Sequence, residues 1–234
     1  ANKKKQPALI LKTNGATFSI LDREECLDKI KKIKSKFPKD WNLPNVYLLH
    51  GSLSTEEMNK LYNHPKVRAM VTLTHGEGYG RPMLEATMVG LPVIASGWSG
   101  QIDFLSQSDS LLLGGQLQKV PSSQVWENII IEDAEWFNVN EQQTYKALNY
   151  CFENIDDVEK RSKNLMKINR EKFTLNKMTD KLDEIMQKVH IPESPQQVGL
   201  NLPKLKKVNN TDTMVDAPKL KLPKLKKATS EAKV

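Results

Sequence analysis

Between residues 8 and 115, short apolar runs alternate with segments of helical periodicity, and this alternation constrains the fold more than any other feature. Parallel strands are buried on both faces and are joined by crossover helices, so the pattern predicts an α/β fold built on a parallel sheet. The apolar runs, which we expect to be strands, are Ala8–Lys12, Val46–His50, Ala69–Thr74, Pro92–Ser96 and Ser110–Leu113. The expected helices between them are Asp22–Lys36, Ser54–Tyr62 and Pro82–Val89. The second of these helices opens with a capping box formed by Ser54 and Glu57.

A second region, Asn140–His190, has the pattern of two or three consecutive helices, which we expect to brace the sheet. The stretch Gln116–Val139 between the two regions is not assigned to an element, and its residues Trp126 and Trp136 are interpreted as packing residues. After Ile191 the sequence becomes rich in Pro, Lys and Asn, and the motif LPKLKK occurs at 202–207 and again at 222–227. We therefore expect one folded domain at 1–191 and a disordered basic tail at 192–234.

The net charge of +7 is concentrated in this tail, where nine lysines accompany four acidic residues. The folded part is therefore close to neutral, and no specific nucleic-acid partner is expected. The main interpretation of the tail is a solvated linker, and the alternative is a peripheral contact with an anionic membrane or another acidic partner. No apolar run is long enough to span a bilayer, and Cys26 and Cys151 show no disulfide pattern. We expect a cytoplasmic location, with a peripheral one at a membrane surface as the alternative.

The expected strand Ala69–Thr74 is followed by a polar, glycine-rich loop, HGEGYG at 75–80, and then by a helix. In open parallel sheets, ligands bind beyond the carboxyl ends of the strands, and the start of the next helix offers N–H groups to a phosphate. Glu77 in the loop and Glu85 one turn into the helix add two carboxylates to this crevice. Carboxylates are suited to accept hydrogen bonds from sugar hydroxyls while the backbone holds a diphosphate. The pair alone leaves open the alternative that Glu85 only complements the helix dipole.

The segment EGYGRPMLEATMVGLPVIAS at 77–96 closely resembles the E-G-F-G-x-P-x-x-E-A-x-x-x-G-x-P-V-x-A-S pattern of family 4 retaining glycosyltransferases. The segment NVYLLHGSLSTEEMNKLY at 45–62 is similar to a strand, loop and helix of the same family. The resemblance covers residues 8–113 and implies the Rossmann-like, donor-binding half of a GT-B fold. It also implies an enzyme of glycan biosynthesis that transfers a sugar from a nucleotide diphosphate sugar to a glycan, lipid or protein acceptor. Such an enzyme retains the configuration of the anomeric carbon.

The resemblance implies roles for individual residues. Glu77 corresponds to the first glutamate of the family's E-x7-E motif, which contacts the donor sugar beside the reacting centre, and is the expected catalytic residue. Glu85 corresponds to the second glutamate, which holds the ribose. The residues whose backbone amides are expected to meet the sugar and the diphosphate are Gly78, Tyr79, Gly80 and Arg81.

Further donor contacts are expected from the first half of the chain. The loop Gly51-Ser52-Leu53 is expected to border the base, and Lys12, at the end of its strand, is either a donor contact or a surface lysine. His75 is either a donor contact or a structural residue of the loop. Family members are typically metal-independent, and the sequence has no Asp-x-Asp triplet and no His/Cys cluster with ligand spacing. We therefore expect no metal and no cofactor besides the donor substrate.

The family pattern differs from this sequence at its beginning. In the family, a strand followed by an Arg and a Lys that grip the diphosphate precedes the strand that Ala8–Lys12 resembles. In a doubly wound order that strand lies at the centre of the sheet, so we expect an incomplete core here. The acceptor-binding domain is likewise expected outside the chain, which is expected to be inactive by itself.

Two other functions compete with this interpretation. One is a sugar-nucleotide epimerase of related fold, for which the sequence offers no identifiable acid/base set. The other is a non-catalytic nucleotide-sugar-binding module, or a scaffold with a basic tail. The presence of both Glu77 and Glu85 favours the enzyme over a degenerate relative.

Overall fold

The computed structural model describes residues 6–15 and 19–189, which form a mixed α/β structure of parallel sheets flanked by six α-helices. The strands are β1 (Leu9–Thr13), β2 (Val46–His50), β3 (Met70–Thr72), β4 (Val93–Ser96), β5 (Leu111–Leu113), β6 (Gly115–Lys119) and β7 (Glu135–Val139). The α-helices are α1 (Ile20–Lys34), α2 (Thr55–Tyr62), α3 (Arg81–Met88), α4 (Glu141–Glu153), α5 (Ile155–Lys172) and α6 (Leu175–Lys188). The expected fold class is confirmed. Every predicted strand and helix of the first region is present, with small shifts at the ends.

The five strands of the first region are parallel, but they form two sheets rather than one. β1 pairs with β2, from Leu9 opposite Val46 to Thr13 opposite His50. β4 pairs with β3 on one side and with β5 on the other. In the doubly wound order expected from the sequence, one central strand lies between β1 and β3 and pairs with both. Within the described residues each of these two strands has a paired neighbour on one edge only.

The prediction that all five strands are covered on both faces holds only for β4. Its residues alternate between two clusters of buried side chains, because successive residues of a strand point to opposite faces. The first cluster consists of Met83, Ala86, Leu91, Val93, Ala95, Phe104, Leu105 and Leu165. The second consists of Ile94, Leu113, Cys151 and Val158. On β1, in contrast, Leu9 and Ile10 are 43% and 41% exposed, which agrees with the expectation of an incomplete core.

The expected helices of the second region are α4, α5 and α6, and α5 supplies most of the bracing contacts. Its buried residues are Val158, Ser162, Leu165 and Asn169. The Asn169 amide donates to Thr87 Oγ1 over 2.8 Å and to the Phe104 carbonyl over 3.1 Å, which ties α5 to α3. α6 buries no residue, and its apolar side chains Leu182 and Ile185 are exposed, so the expected bracing does not extend to α6.

The unassigned stretch at 116–139 contains an antiparallel hairpin, in which Gly115 of β6 lies opposite Val139 of β7. Every residue of β6 is exposed, which explains why its sequence carries no burial pattern. No helix of the described part has both the length and the apolar character required to cross a bilayer. The predicted tail at 192–234 lies outside the described residues.

Candidate functional site

The glycine-rich loop connects β3 to α3, as the sequence predicts. Gly80 precedes the helix with a φ of 86°, in the left-handed region that favours glycine. A Cβ on Gly80 would also lie 2.6 Å from Met83 Cε and 3.3 Å from Cβ of the buried Gln101, so both side chains would have to shift. α3 then begins at Arg81, has Pro82 in its first turn, and has no side-chain cap.

Four consecutive backbone N–H groups at this helix start have no protein acceptor within the described residues. They belong to Gly78, Tyr79, Gly80 and Arg81, the residues predicted to meet the diphosphate. The unpaired N–H groups at a helix N-terminus carry partial positive charge and attract anions. The loop therefore has the chemistry of an anion-binding site.

The backbone of Glu77 is fixed by the loop that follows β4. Ser99 Oγ donates to the Glu77 carbonyl over 2.7 Å, and the Gly100 N–H donates to the same carbonyl over 3.0 Å. The Glu77 N–H in turn donates to Ser99 Oγ over 3.3 Å. The Glu77 carboxylate is half-buried and makes no hydrogen bond or ion pair with any described residue. Its backbone is thus held in place while its side chain is available to a ligand.

Glu85 lies beyond the first turn of α3, where its Oε1 accepts a hydrogen bond from Arg81 Nε over 2.7 Å. The helix dipole acts mainly within the first turn, so dipole compensation does not account for Glu85. The Arg81 side chain is 80% exposed, and an exposed pair of this kind is worth about 0–1 kcal/mol, so a ligand can replace it at small cost. Tyr62, at the end of α2, lies close to this pair. Its burial, reinforced by the Glu85 charge, raises the pKa of Tyr62 to about 12 and keeps the hydroxyl protonated.

Lys12 and the predicted base-binding loop come together at the carboxyl ends of β1 and β2. Lys12 Nζ donates to the Gly51 carbonyl over 2.6 Å, and Gly51 has a φ of 100°. Ser52 is exposed and Leu53 is half-buried. Lys12 therefore supports the loop, and since an ammonium group has three donors, it retains others for a ligand.

The predicted site residues thus form two groups, one at 77–85 and one at Lys12 and 51–53. No hydrogen bond or ion pair joins the two groups among residues 6–15 and 19–189. Tyr62 of α2 lies between them in sequence and packs on the first core cluster beside α3. Both groups follow the carboxyl ends of parallel strands, which is where ligands bind in open α/β sheets.

The β6–β7 hairpin packs on the loops of the candidate site, a contact that sequence reasoning missed. The ring of His75 stacks on Trp136 at a centroid distance of 4.6 Å, and its Nδ1 lies 3.0 Å from the Phe137 carbonyl oxygen. Trp98 stacks on Phe137 at 5.6 Å and remains 41% exposed. Of the two alternatives for His75, these contacts favour a structural residue that anchors the loop to β7.

The structure also brings together three side chains that are able to bind a metal: Asp22, Cys26 and His50. The sequence does not reveal this group, because His50 lies on a different element from the other two. A hydrogen bond from His50, with a second from the Gly15 N–H, holds the pKa of Asp22 below its ordinary value.

Comparisons with known proteins support the fold. No protein-family model and no curated protein sequence matches the chain. Among solved structures, HepE from Anabaena in complex with UDP and glucose matches with a TM-score of 0.53 at 14% identity, over 78% of this chain and 40% of that one. Its complex with UDP-glucose matches with a TM-score of 0.52 at 15% identity, over 80% and 44% of the two chains. At these identities the likeness shows a shared fold, and this chain spans less than half the length of HepE.

Proposed function

We propose that the chain is the donor-binding part of a retaining glycosyltransferase of GT-B architecture. The enzyme would move a sugar from a nucleotide diphosphate sugar to a hydroxyl of a glycan, lipid or protein acceptor. The observation that carries this proposal is the run of four unpaired N–H groups at Gly78–Arg81, flanked by the carboxylates of Glu77 and Glu85. The motif resemblance to family 4 glycosyltransferases supports it, as does the fold shared with HepE, which was solved with UDP and with UDP-glucose.

In this proposal the backbone amides and the start of α3 bind the diphosphate. They stabilise the negative charge that grows on it as the bond to the sugar breaks, and this stabilisation requires no rearrangement because the donors are already in place. Glu77 orients the donor sugar through its hydroxyls and favours the positive charge that develops at the anomeric carbon. Glu85 exchanges its contact with Arg81 for hydrogen bonds to the ribose. No metal ion is required on the diphosphate, since the partial positive charges of the backbone N–H groups face it.

Nucleotide binding to three variants tests these roles. Glu77→Ala should weaken binding of UDP-glucose about 10- to 100-fold, because a hydrogen bond to a charged group contributes about 1.5–3 kcal/mol. It should leave binding of UDP unchanged, because UDP lacks the sugar. Glu85→Ala should weaken both ligands equally, because both contain the ribose. Isothermal titration calorimetry measures each affinity, and Glu171→Ala, an exposed glutamate of α5, is the matched control.

Two binding results would contradict these assignments. If Glu77→Ala binds UDP-glucose as tightly as the control variant does, the role assigned to Glu77 is wrong. If neither UDP nor UDP-glucose binds, a panel of other nucleoside diphosphates decides whether the base or the whole site is misassigned.

A non-catalytic nucleotide-sugar-binding module is the second candidate function, because the same unpaired N–H groups and carboxylates could bind a nucleotide-sugar without turnover. Both candidates predict the same binding results. They are separated by transfer or hydrolysis of the donor in a protein that joins this chain to an acceptor-binding domain. Loss of turnover in Glu77→Ala supports the enzyme, whereas binding without any turnover in the unsubstituted protein supports the module.

A further inference from the structure

Asp22, Cys26 and His50 form a compact group of three different metal-ligating side chains, apart from the Glu77 loop. Asp22 and Cys26 are one turn apart on α1, and His50 is the last residue of β2. The ligand atoms of all three lie within 4.8 Å of one another, and His50 Nε2 lies 2.5 Å from Asp22 Oδ2. The side chains of His50 and Asp22 are 8% and 10% exposed, and Cys26 is half-buried.

These separations are close to those of a tetrahedral zinc site. With zinc bonds of about 2.0–2.1 Å to nitrogen or oxygen and 2.3 Å to sulfur, ligand atoms of a tetrahedral site stand about 3.3–3.6 Å apart. Asp22 and His50 would therefore separate by slightly less than 1 Å, and Cys26 Sγ, which already lies within 4.8 Å of both ligand atoms, would approach them. Side-chain rotation supplies movements of this size without any change of the backbone.

We propose that Asp22, Cys26 and His50 bind a divalent transition-metal ion of the zinc class, with water as the fourth ligand. The donor set selects the class of ion, because Mg²⁺ and Ca²⁺ take oxygen ligands, whereas zinc accepts nitrogen, oxygen and sulfur together.

The surroundings orient this ligand set. The Gly15 N–H donates to Asp22 Oδ2 over 2.8 Å, and such outer contacts hold a metal-ligating carboxylate in position. A Cβ on Gly15 would lie 3.0 Å from Asp22 Cγ and closer still to its oxygen, so glycine is needed for this approach. The ion would join the first turns of α1 to the end of β2, and Gly15 links the turn after β1 to the liganding carboxylate.

The position of the ion suggests what it does. His50 directly precedes Gly51, whose carbonyl accepts the hydrogen bond from Lys12. An ion on His50 would fix the start of the 51–53 loop from one side while Lys12 fixes it from the other. In this role the ion positions the 51–53 loop, and the inference does not depend on the function proposed above.

Cobalt titration of the untagged chain tests the site. Co²⁺ bound to a thiolate gives a charge-transfer band in the near ultraviolet, and tetrahedral Co²⁺ gives intense visible bands that Zn²⁺ abolishes when it replaces the cobalt. We expect both sets of bands to saturate at one ion per chain. The bands should be lost in Cys26→Ser and retained in Cys151→Ser, which removes the other cysteine. In His50→Gln the affinity for Co²⁺ should fall at least tenfold.

The competing explanation is a hydrogen-bonded Asp22–His50 pair with a cysteine nearby by chance. In that case the wild-type chain shows no thiolate band, or the band persists in Cys26→Ser, and either result overturns the proposal.

Thermal unfolding gives an independent readout that remains valid if His50→Gln does not fold. Zn²⁺ should raise the Tm of the wild type and of Cys151→Ser but not that of Cys26→Ser, and an equal rise in all three also overturns the proposal. UDP-glucose affinity is measured separately, so a failure here leaves the donor site untouched.

Discussion

Replacing Gly100 by alanine is expected to disrupt the candidate donor site from outside it. A Cβ at this position would lie 2.7 Å from the carbonyl carbon of Gly78 and 2.9 Å from the carbonyl oxygen of Glu77. Carbon atoms in ordinary contact stand about 3.5–4.0 Å apart, so the loop must retreat by roughly 1 Å. Both contacted atoms belong to the backbone, and the loop therefore cannot give way by a side-chain rotation alone.

The retreat has two measurable consequences. Overpacking of this kind costs about 1–3 kcal/mol, and each kcal/mol lowers the Tm of a chain of this size by about 2–4 °C. A displacement of about 1 Å also moves Glu77 out of reach of the donor sugar, and misplacement by that distance lowers turnover about 100-fold. Circular dichroism of the chain measures the first effect. UDP-glucose titration of the chain, with a transfer assay in the protein that joins it to an acceptor-binding domain, measures the second.

Gly76→Ala is the matched control, because a Cβ at that position meets Ser99 Oγ only at 3.6 Å, an ordinary contact distance. We expect this variant to have the same Tm and the same UDP-glucose affinity as the wild type. The reasoning is refuted if Gly100→Ala and Gly76→Ala have the same Tm and the same affinity.

Three further predictions concern the core, the pH dependence and the tail. Asn169→Leu should destabilise the fold by about 1–3 kcal/mol because Thr87 Oγ1 and the Phe104 carbonyl both lose the buried Asn169 donor, and an unchanged free energy of unfolding would contradict this. Burial raises the pKa of Asp109, but hydrogen bonds from Asn164 and two serines outweigh it and hold the pKa below its ordinary value of 3.8. Asp109 therefore stabilises the fold above its ordinary pKa, and this contribution is lost as the pH falls through its lower folded-state pKa. Asp109→Asn should make the free energy of unfolding depend less steeply on pH in acid. An unchanged pH dependence would contradict this. If the tail contacts an anionic membrane, which is the alternative interpretation of it, deleting 192–234 should weaken sedimentation with anionic liposomes at low salt and leave UDP-glucose affinity unchanged; equal sedimentation would favour the solvated linker.

The parts of the site that the sequence predicts are those determined by local backbone chemistry. Gly80 adopts a positive φ and Pro82 occupies the first turn, so the end of the loop and the start of α3 are readable from the sequence. Ser54 and Glu57 form the predicted capping box, which places the start of α2. These features depend on neighbours within a few residues, and a single sequence contains that information.

The parts that the sequence does not reveal depend on contacts between distant segments. β6 exposes all of its residues, so the hairpin that anchors His75 leaves no periodic signal. The approach of His50 to Asp22 follows from the parallel pairing of β1 with β2 and from the packing of α1, neither of which residue spacing determines. The exposure of Leu9 on β1 depends on which segments cover that strand, and its apolar sequence does not show this.

In the proposed function, the loop before α3 binds the diphosphate of a sugar donor through its backbone. Amide chemical shifts of the ¹⁵N-labelled chain, followed during titration with UDP-glucose, test it most directly. The largest changes are predicted at the amides of Gly78, Tyr79, Gly80 and Arg81, which have no acceptor within the described residues. Saturable binding that leaves these four amides unshifted and perturbs residues elsewhere would contradict the account.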